Sequence, residues 1–110
     1  MNIEIGFRPA SKLWLEKNGT AFGEGLYNLL YLVEKTGSIS AAALEMGMSY
    51  RTAWGKIRAI EKAWGVRLVD TRVGGKAGGG SGITQEAYLI MDRLREFRQQ
   101  VEDVEGMFIG

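Results

Sequence analysis

The stretch GSISAAALEMGMSYRTAWGKIRAIEKAWG, residues 37–65, decides which fold the sequence predicts. Ser40 is placed to cap a short helix over residues 41–46 that ends at Gly47, because serine is favoured at helix N-caps and glycine after the last turn. Ser49 is placed to cap a second helix that runs to about Trp64. Two helices joined by a tight turn containing glycine form a helix-turn-helix, which we predict over residues 40–64.

The second helix of this motif has one apolar face. Its core stripe, at helical spacing, is Ala53, Ile57, Ile60 and Trp64. Trp54 lies one position off the stripe, and we expect it to pack at the rim of the core. Gly55 removes a side chain in mid-helix at a cost of about 1 kcal/mol relative to alanine. The close approach of another backbone, from protein or from DNA, would explain this glycine.

Upstream of the motif the sequence predicts short strands and then a helix. Alternating apolar residues indicate strands at about 3–8, 12–17 and 20–22, and Asn18-Gly19 is a strong hairpin turn, so a hairpin is expected over 12–22. From residue 25 to residue 36 the spacing becomes helical. This helix is apolar beyond a single stripe, which is typical of a helix covered on more than one side.

Downstream of the motif we predict a wing over residues 66–84 and a long helix over 84–106. VRLVDTR (66–72) is expected to be a strand, and GGKAGGGSG (74–82) holds six glycines in nine positions. A phosphate-binding P-loop needs its lysine to be followed by Ser or Thr at a helix start, and Ala77 follows Lys76. A linker is possible, but a hairpin whose glycine-rich tip lies on DNA fits better. Thr84 is placed to cap the last helix.

Composition excludes several classes of function. The 110 residues contain no cysteine and no histidine, which removes thiolate and imidazole chemistry, and carboxylates are scattered. We therefore predict no enzyme, no catalytic residue, no metal and no cofactor. The sequence shows no apolar run long enough to span a membrane and no signal peptide, so a cytoplasmic protein is expected. The net charge is +1, but residues 38–82 carry seven basic and three acidic side chains, which favours a polyanionic partner.

These residues resemble the winged helix-turn-helix of LysR-type regulators, in features such as the alanine pair at 42–43, Ser49 and the segment after Gly65. They are more similar still to the DNA-binding domain of the ModE-type molybdate-responsive regulators, through GSIS (37–40), SYRTAW (49–54) and the run GGKAGGG (74–80) before Ile83. Ala77 departs from the family's glycine run. The resemblance implies an α+β winged helix-turn-helix that binds DNA. The sequence ends where the family's oxyanion-binding domains would follow, so we expect a stand-alone DNA-binding form. Binding of molybdate or another oxyanion is not supported by this chain.

The start of the second motif helix and the wing are the expected DNA contacts, because residues there reach base edges and phosphates. Arg51 is the expected base reader. The plainer interpretation of Ser49 is that it caps the helix, and that of Tyr50 is that it packs against the protein. The residues predicted to contact double-stranded DNA are Ser49, Tyr50, Arg51, Thr52, Lys56, Arg72, Gly75, Lys76, Gly78 and Gly79.

We expect a homodimer, because the last helix has apolar residues at coiled-coil spacing from Ala87 to Phe108. The predicted interface residues are Leu26, Leu30, Val33, Ile90, Leu94, Phe97, Val101 and Val104. A homodimer would bind a palindromic site, and the expected function is sequence-specific regulation of transcription. A protein-interaction module and a non-specific architectural DNA-binding protein remain alternatives.

Overall fold

A β-hairpin, three helices, a second pair of strands and a long helix follow one another along the chain. The structure, a computed structural model, describes residues 6–71 and 80–108. The elements are β1 (Trp14–Lys17), β2 (Thr20–Gly23), α1 (Glu24–Thr36), α2 (Ile39–Glu45), α3 (Tyr50–Trp64), β3 (Val69–Asp70), β4 (Gly82–Ile83) and α4 (Gln85–Gly106). This arrangement confirms the expected fold class, an α+β winged helix-turn-helix with an N-terminal hairpin and a long C-terminal helix.

The N-terminal hairpin turns at Asn18-Gly19, as the sequence predicts. Both turn residues have positive φ, 52° and 73°, and β1 pairs antiparallel with β2. The hairpin docks on the end of α3, where the Asn18 side-chain amide donates to the Ala63 carbonyl (2.8 Å) and the Trp64 indole donates to the Thr20 carbonyl (3.2 Å). Residues 6–13 are not in a strand, so the strand expected at 3–8 is wrong for its described part; residues 1–5 lie outside the described residues.

The first two helices meet at a turn whose cap differs from the prediction. α1 ends at Thr36, and its C-cap is Gly37, which has φ 74°. Ser38, rather than Ser40, caps α2: its hydroxyl oxygen accepts the Ala41 backbone N–H at 3.0 Å. The helix begins two residues earlier than expected because Ile39 is buried in the core and is drawn into the first turn.

The core lies among α1, α2, α3 and the first half of α4. All four residues of the α3 stripe are buried, as the sequence predicts. The remaining buried apolar residues are Phe22, Leu26, Leu29, Leu30, Val33, Ile39, Ala42, Ala43, Leu68, Val69, Ile83, Ala87, Met91 and Leu94. This core packs α2 against α3, and the start of α3 projects from it.

The second pair of strands is short. Val69 pairs with Ile83 and Asp70 with Gly82, so the strand expected over 66–72 is wrong for residues 66–68 and 71, and residue 72 lies outside the described residues. The physical reason is a side chain: the Glu61 carboxylate accepts the backbone N–H of Leu68 (2.8 Å) and of Val69 (3.3 Å), which ties this segment to α3. Residues 72–79, which join the two strands along the sequence, lie outside the described residues.

Candidate nucleic-acid interface

The N-terminus of α3 is built by Ser49. Its hydroxyl oxygen accepts the Thr52 backbone N–H at 3.0 Å, and its hydroxyl donates to the Thr52 hydroxyl oxygen at 2.9 Å. This confirms Ser49 as an N-cap. Both side chains remain exposed. The cap organises the first turn, where free backbone N–H groups and the helix dipole favour an anion.

Arg51 and Lys56 are two of the exposed cationic side chains of α3. Arg51 stands two residues before Ala53, about 200° around the helix from that buried residue, so it points away from the core. Lys56 precedes the buried Ile57 and lies on one flank of the helix. Neither Arg51 nor Lys56 forms an ion pair or hydrogen bond with any residue in the described ranges. Their charges are therefore available to a polyanion.

Gly55 lies on the same outward face as Arg51, one helical turn further on. It is two residues from both Ala53 and Ile57, and it is exposed. A β-carbon built at Gly55 meets no atom within 4 Å, and its φ is not positive. Neither space within the described chain nor backbone geometry requires a glycine here. Of the explanations that the sequence offers for this glycine, close approach by an external partner remains.

A row of side chains at positions 50, 54 and 58 begins at Tyr50, on the flank of α3 opposite Lys56, and winds to the outward face at Arg58. The Trp54 indole N–H donates to the Tyr50 hydroxyl oxygen at 2.6 Å, and the two rings meet edge to face with centroids 6.4 Å apart. The Arg58 guanidinium lies 4.8 Å from the centroid of the Trp54 ring. Trp54 also packs against the core, as expected. The sequence places Arg58 away from the core stripe, but its contact with Trp54 was not predicted, although the i+4 spacing was the available signal.

The wing contributes only its base to the described structure. The expected DNA contacts Arg72, Gly75, Lys76, Gly78 and Gly79 lie outside the described residues. At the base, Thr84 donates its backbone N–H to the Leu68 carbonyl at 3.0 Å and caps α4 by accepting the Ala87 N–H at 3.1 Å, which confirms the predicted cap. The Glu61 carboxylate ties the start of this base to α3, whereas the Ser81 backbone N–H donates to the Gly37 carbonyl (2.7 Å), which places its other side at the end of α1.

The predicted dimer-interface residues divide into two groups. Leu26, Leu30, Val33 and Leu94 are buried within a single chain, so the prediction that they pack against a second chain is wrong. Sequence spacing identified them as apolar without showing that α1 and α4 bury them against the chain's own core. Ile90 packs partly on that core. Phe97, Val101 and Val104 lie beyond it, with Phe97 38% and Val104 66% exposed.

Metal-binding clusters and membrane-spanning helices are both absent from the part of the chain that the structure describes. No group of three or more Asp, Glu, His or Cys side chains in the ranges 6–71 and 80–108 is arranged to hold a metal ion. None of the helices in those ranges combines the length and the apolar character needed to cross a bilayer.

Comparison with known proteins places this geometry in context. Residues 26–87 match the family described as bacterial regulatory helix-turn-helix proteins, lysR family. The molybdenum-pterin-binding protein MopB of Rhodobacter capsulatus is 42% identical over 77 residues, which cover 70% of this chain and 28% of MopB. The DNA-binding transcriptional dual regulator ModE of Escherichia coli K12 is 35% identical over 80 residues, which cover 70% of this chain and 30% of ModE.

A solved structure shows the same fold. Vibrio fischeri DarR, determined in complex with DNA, aligns with a TM-score of 0.54 at 20% identity, over 74% of this chain and 26% of DarR. At that identity the likeness concerns the fold alone. This chain spans less than a third of the length of MopB, ModE or DarR. The matched family is described as regulatory and ModE as a transcriptional regulator, which confirms the prediction that this chain is not an enzyme.

Proposed function

The chain belongs to the lysR family of bacterial regulatory helix-turn-helix proteins, and on that premise we propose that it regulates transcription by binding a specific palindromic DNA site as a homodimer. The observation that carries the proposal is the exposed surface of α3. One face of this helix is buried in the core, while its capped N-terminus, Arg51 and Lys56 face outward with no partner among the described residues. Such a helix enters the major groove of DNA.

Each part of this surface has a role in the proposed complex. Arg51, on the face opposite the core, reads a base edge, because a guanidinium can donate two hydrogen bonds to guanine in the major groove. Thr52 and Ser49 stand beside the phosphates at the helix N-terminus. Lys56, on the flank, neutralises a phosphate. The glycine-rich tip of the wing, with Lys76 and Arg72, lies on the adjacent backbone.

The second half of α4 forms the proposed dimer interface. α4 has 22 residues and is about 33 Å long, yet its buried residues, Ala87, Met91 and Leu94, end after the third turn. Phe97, Val101 and Val104 continue the coiled-coil spacing beyond the core, and Val104 is 66% exposed. An exposed heptad stripe of this kind is covered by a second copy in a coiled coil.

Twofold symmetry then determines the site. Two copies joined through α4 present two α3 helices related by a dyad, so the half-sites form an inverted repeat. Their centres are about 34–36 Å apart, one turn of DNA, or a multiple of that distance. The molybdenum named in the relatives MopB and ModE is not carried over, because the match covers only 28–30% of those proteins.

The test begins with selection of duplexes from a randomised library by the purified chain, followed by fluorescence anisotropy. The selected duplex is compared with a scrambled duplex of the same composition at near-physiological salt. We expect a preference of about a thousandfold or more and an inverted repeat in the selected sequence. Light scattering should give twice the 12.1 kDa mass of one chain.

The two alternatives predict different results in the same experiment. A steep dependence on salt with no preferred sequence would indicate an architectural DNA-binding protein. Weak binding to every duplex with little dependence on salt would indicate a protein-interaction module instead. Either result would refute the proposal of a sequence-specific regulator.

A further inference from the structure

The row of side chains at positions 50, 54 and 58 of α3 includes the Tyr50 hydroxyl, a hydrogen-bond donor that has no role in the proposed function. We propose that the Tyr50 hydroxyl donates to a DNA phosphate, and that Trp54 is a positioning residue that orients this hydroxyl. The inference rests on the proposed function, because it assigns a contact within the same interface. The argument uses the Tyr50–Trp54 hydrogen bond, the placement of Arg58, and the position of the row around the helix.

The direction of the hydrogen bond follows from the chemistry of the two groups. An indole nitrogen can only donate, so the 2.6 Å contact is a bond from Trp54 to the Tyr50 oxygen. The hydroxyl proton of Tyr50 is therefore not used in this bond. No acceptor for that proton is found among residues 6–71 and 80–108. Tyr50 is 53% exposed, so an acceptor from outside the chain can reach it.

Arg58 in turn contacts the Trp54 ring, which orients the Tyr50 hydroxyl. Arg58 lies over the ring at 4.8 Å from the centroid, a favourable cation–π distance. The Arg58 guanidinium is also 4.0 Å from the Glu61 carboxylate, which accepts the backbone N–H groups at the base of the wing. A continuous row of contacts therefore joins the wing base to the first turn of α3.

The position of the row selects phosphate rather than a base as the acceptor. Arg51 and Gly55, about 200° from the buried stripe, occupy the face that meets the floor of the groove. Tyr50 and Lys56 each lie three residues from buried Ala53, about 60° from it in opposite directions, so they face the two walls, whereas Arg58 shares the outward face with Arg51. The walls of the major groove are the phosphate backbones. Tyr50, on the flank opposite Lys56, meets one of them.

The test compares variants that remove one element at a time, using anisotropy with the selected and the scrambled duplex. Tyr50→Phe should weaken binding about tenfold on both duplexes, because a lost hydrogen bond to a charged phosphate carries no sequence information. Trp54→Phe keeps an aromatic ring but frees the hydroxyl, and should weaken binding about threefold. The double variant should match Tyr50→Phe alone, because Trp54 acts only through Tyr50.

Tyr31→Phe is the matched control. Tyr31 is also 53% exposed, but it lies on α1, and its hydroxyl has no hydrogen-bond partner in the described part of the chain. Tyr31→Phe should therefore leave DNA binding unchanged. Thermal unfolding of each variant separates loss of contact from loss of fold. Tyr50→Phe binding as tightly as the parent chain would overturn the inference, as would additive losses in the double variant.

A second measurement identifies the acceptor on the DNA. Duplexes with a single neutral methylphosphonate at successive backbone positions remove one charged phosphate at a time. One position should weaken the parent chain and leave Tyr50→Phe unaffected. Independent losses at every position would overturn the phosphate assignment while leaving the proposed function standing. Failure of the parent chain to select any duplex would overturn the proposed function and this inference together.

Discussion

Replacing Gly55 with alanine should make the protein more stable and its complex with DNA weaker. Alanine is about 1 kcal/mol more favourable than glycine inside a helix. The full gain is expected because a β-carbon at Gly55 meets no atom within 4 Å, so no strain offsets it. For a chain of 110 residues, 1 kcal/mol corresponds to a rise in Tm of about 4 °C.

The effect on DNA binding has the opposite sign. If the floor of the major groove lies against Gly55, an added methyl group must be accommodated at a packed surface, at a cost of about 1–3 kcal/mol. We therefore expect the dissociation constant of the selected duplex to rise at least fivefold. Gly55→Gln should weaken binding further, because its side chain is larger.

Gly25→Ala is the control for this pair of measurements. Gly25 is also helical and exposed, and a β-carbon there meets nothing within 4 Å, but it lies in the first turn of α1. Gly25→Ala should raise the Tm and leave the affinity for the selected duplex unchanged. Thermal unfolding and anisotropy give both quantities on the same samples. Unchanged affinity in Gly55→Ala would refute close approach of DNA at this residue, and a lower Tm would refute the propensity argument.

Three further predictions concern other parts of the molecule. Arg51→Ala should cost about 1–3 kcal/mol of affinity for the selected duplex and relax specificity at one base pair; equal losses on selected and scrambled duplexes would contradict a base-reading role. Val104→Asp should halve the mass measured by light scattering, because a carboxylate cannot be buried in the proposed coiled coil. The control is Leu44→Asp, at an apolar residue that is 80% exposed on α2, and it should leave the mass unchanged. A Val104→Asp variant that is still a dimer would show that the interface does not include this part of α4. Ser38→Ala should lower the free energy of unfolding, measured by denaturant titration, by about 1 kcal/mol, because Ser38 caps α2. Ser40→Ala should leave it nearly unchanged. A larger loss of stability in Ser40→Ala than in Ser38→Ala would contradict the observed cap.

The features that the sequence predicted correctly are those formed by neighbouring residues. The Asn18-Gly19 turn, the Ser49 and Thr84 caps and the buried stripe of α3 depend on backbone preferences and on spacing within one element. Such interactions require no knowledge of what packs opposite them. The helix-turn-helix and the outward direction of Arg51 follow from the same local rules, since helix periodicity alone separates the buried face from the exposed one.

Long-range packing determined the rest. Ser38 caps α2 because burial of Ile39 extends the helix, and the strand at 66–72 is short because the Glu61 carboxylate binds the backbone N–H groups of Leu68 and Val69. Leu30 is apolar whether it faces the chain's own core or a second copy, so its sequence position cannot distinguish the two. Only the assembled fold shows which apolar faces are already covered, because burial depends on surfaces that lie far apart along the chain.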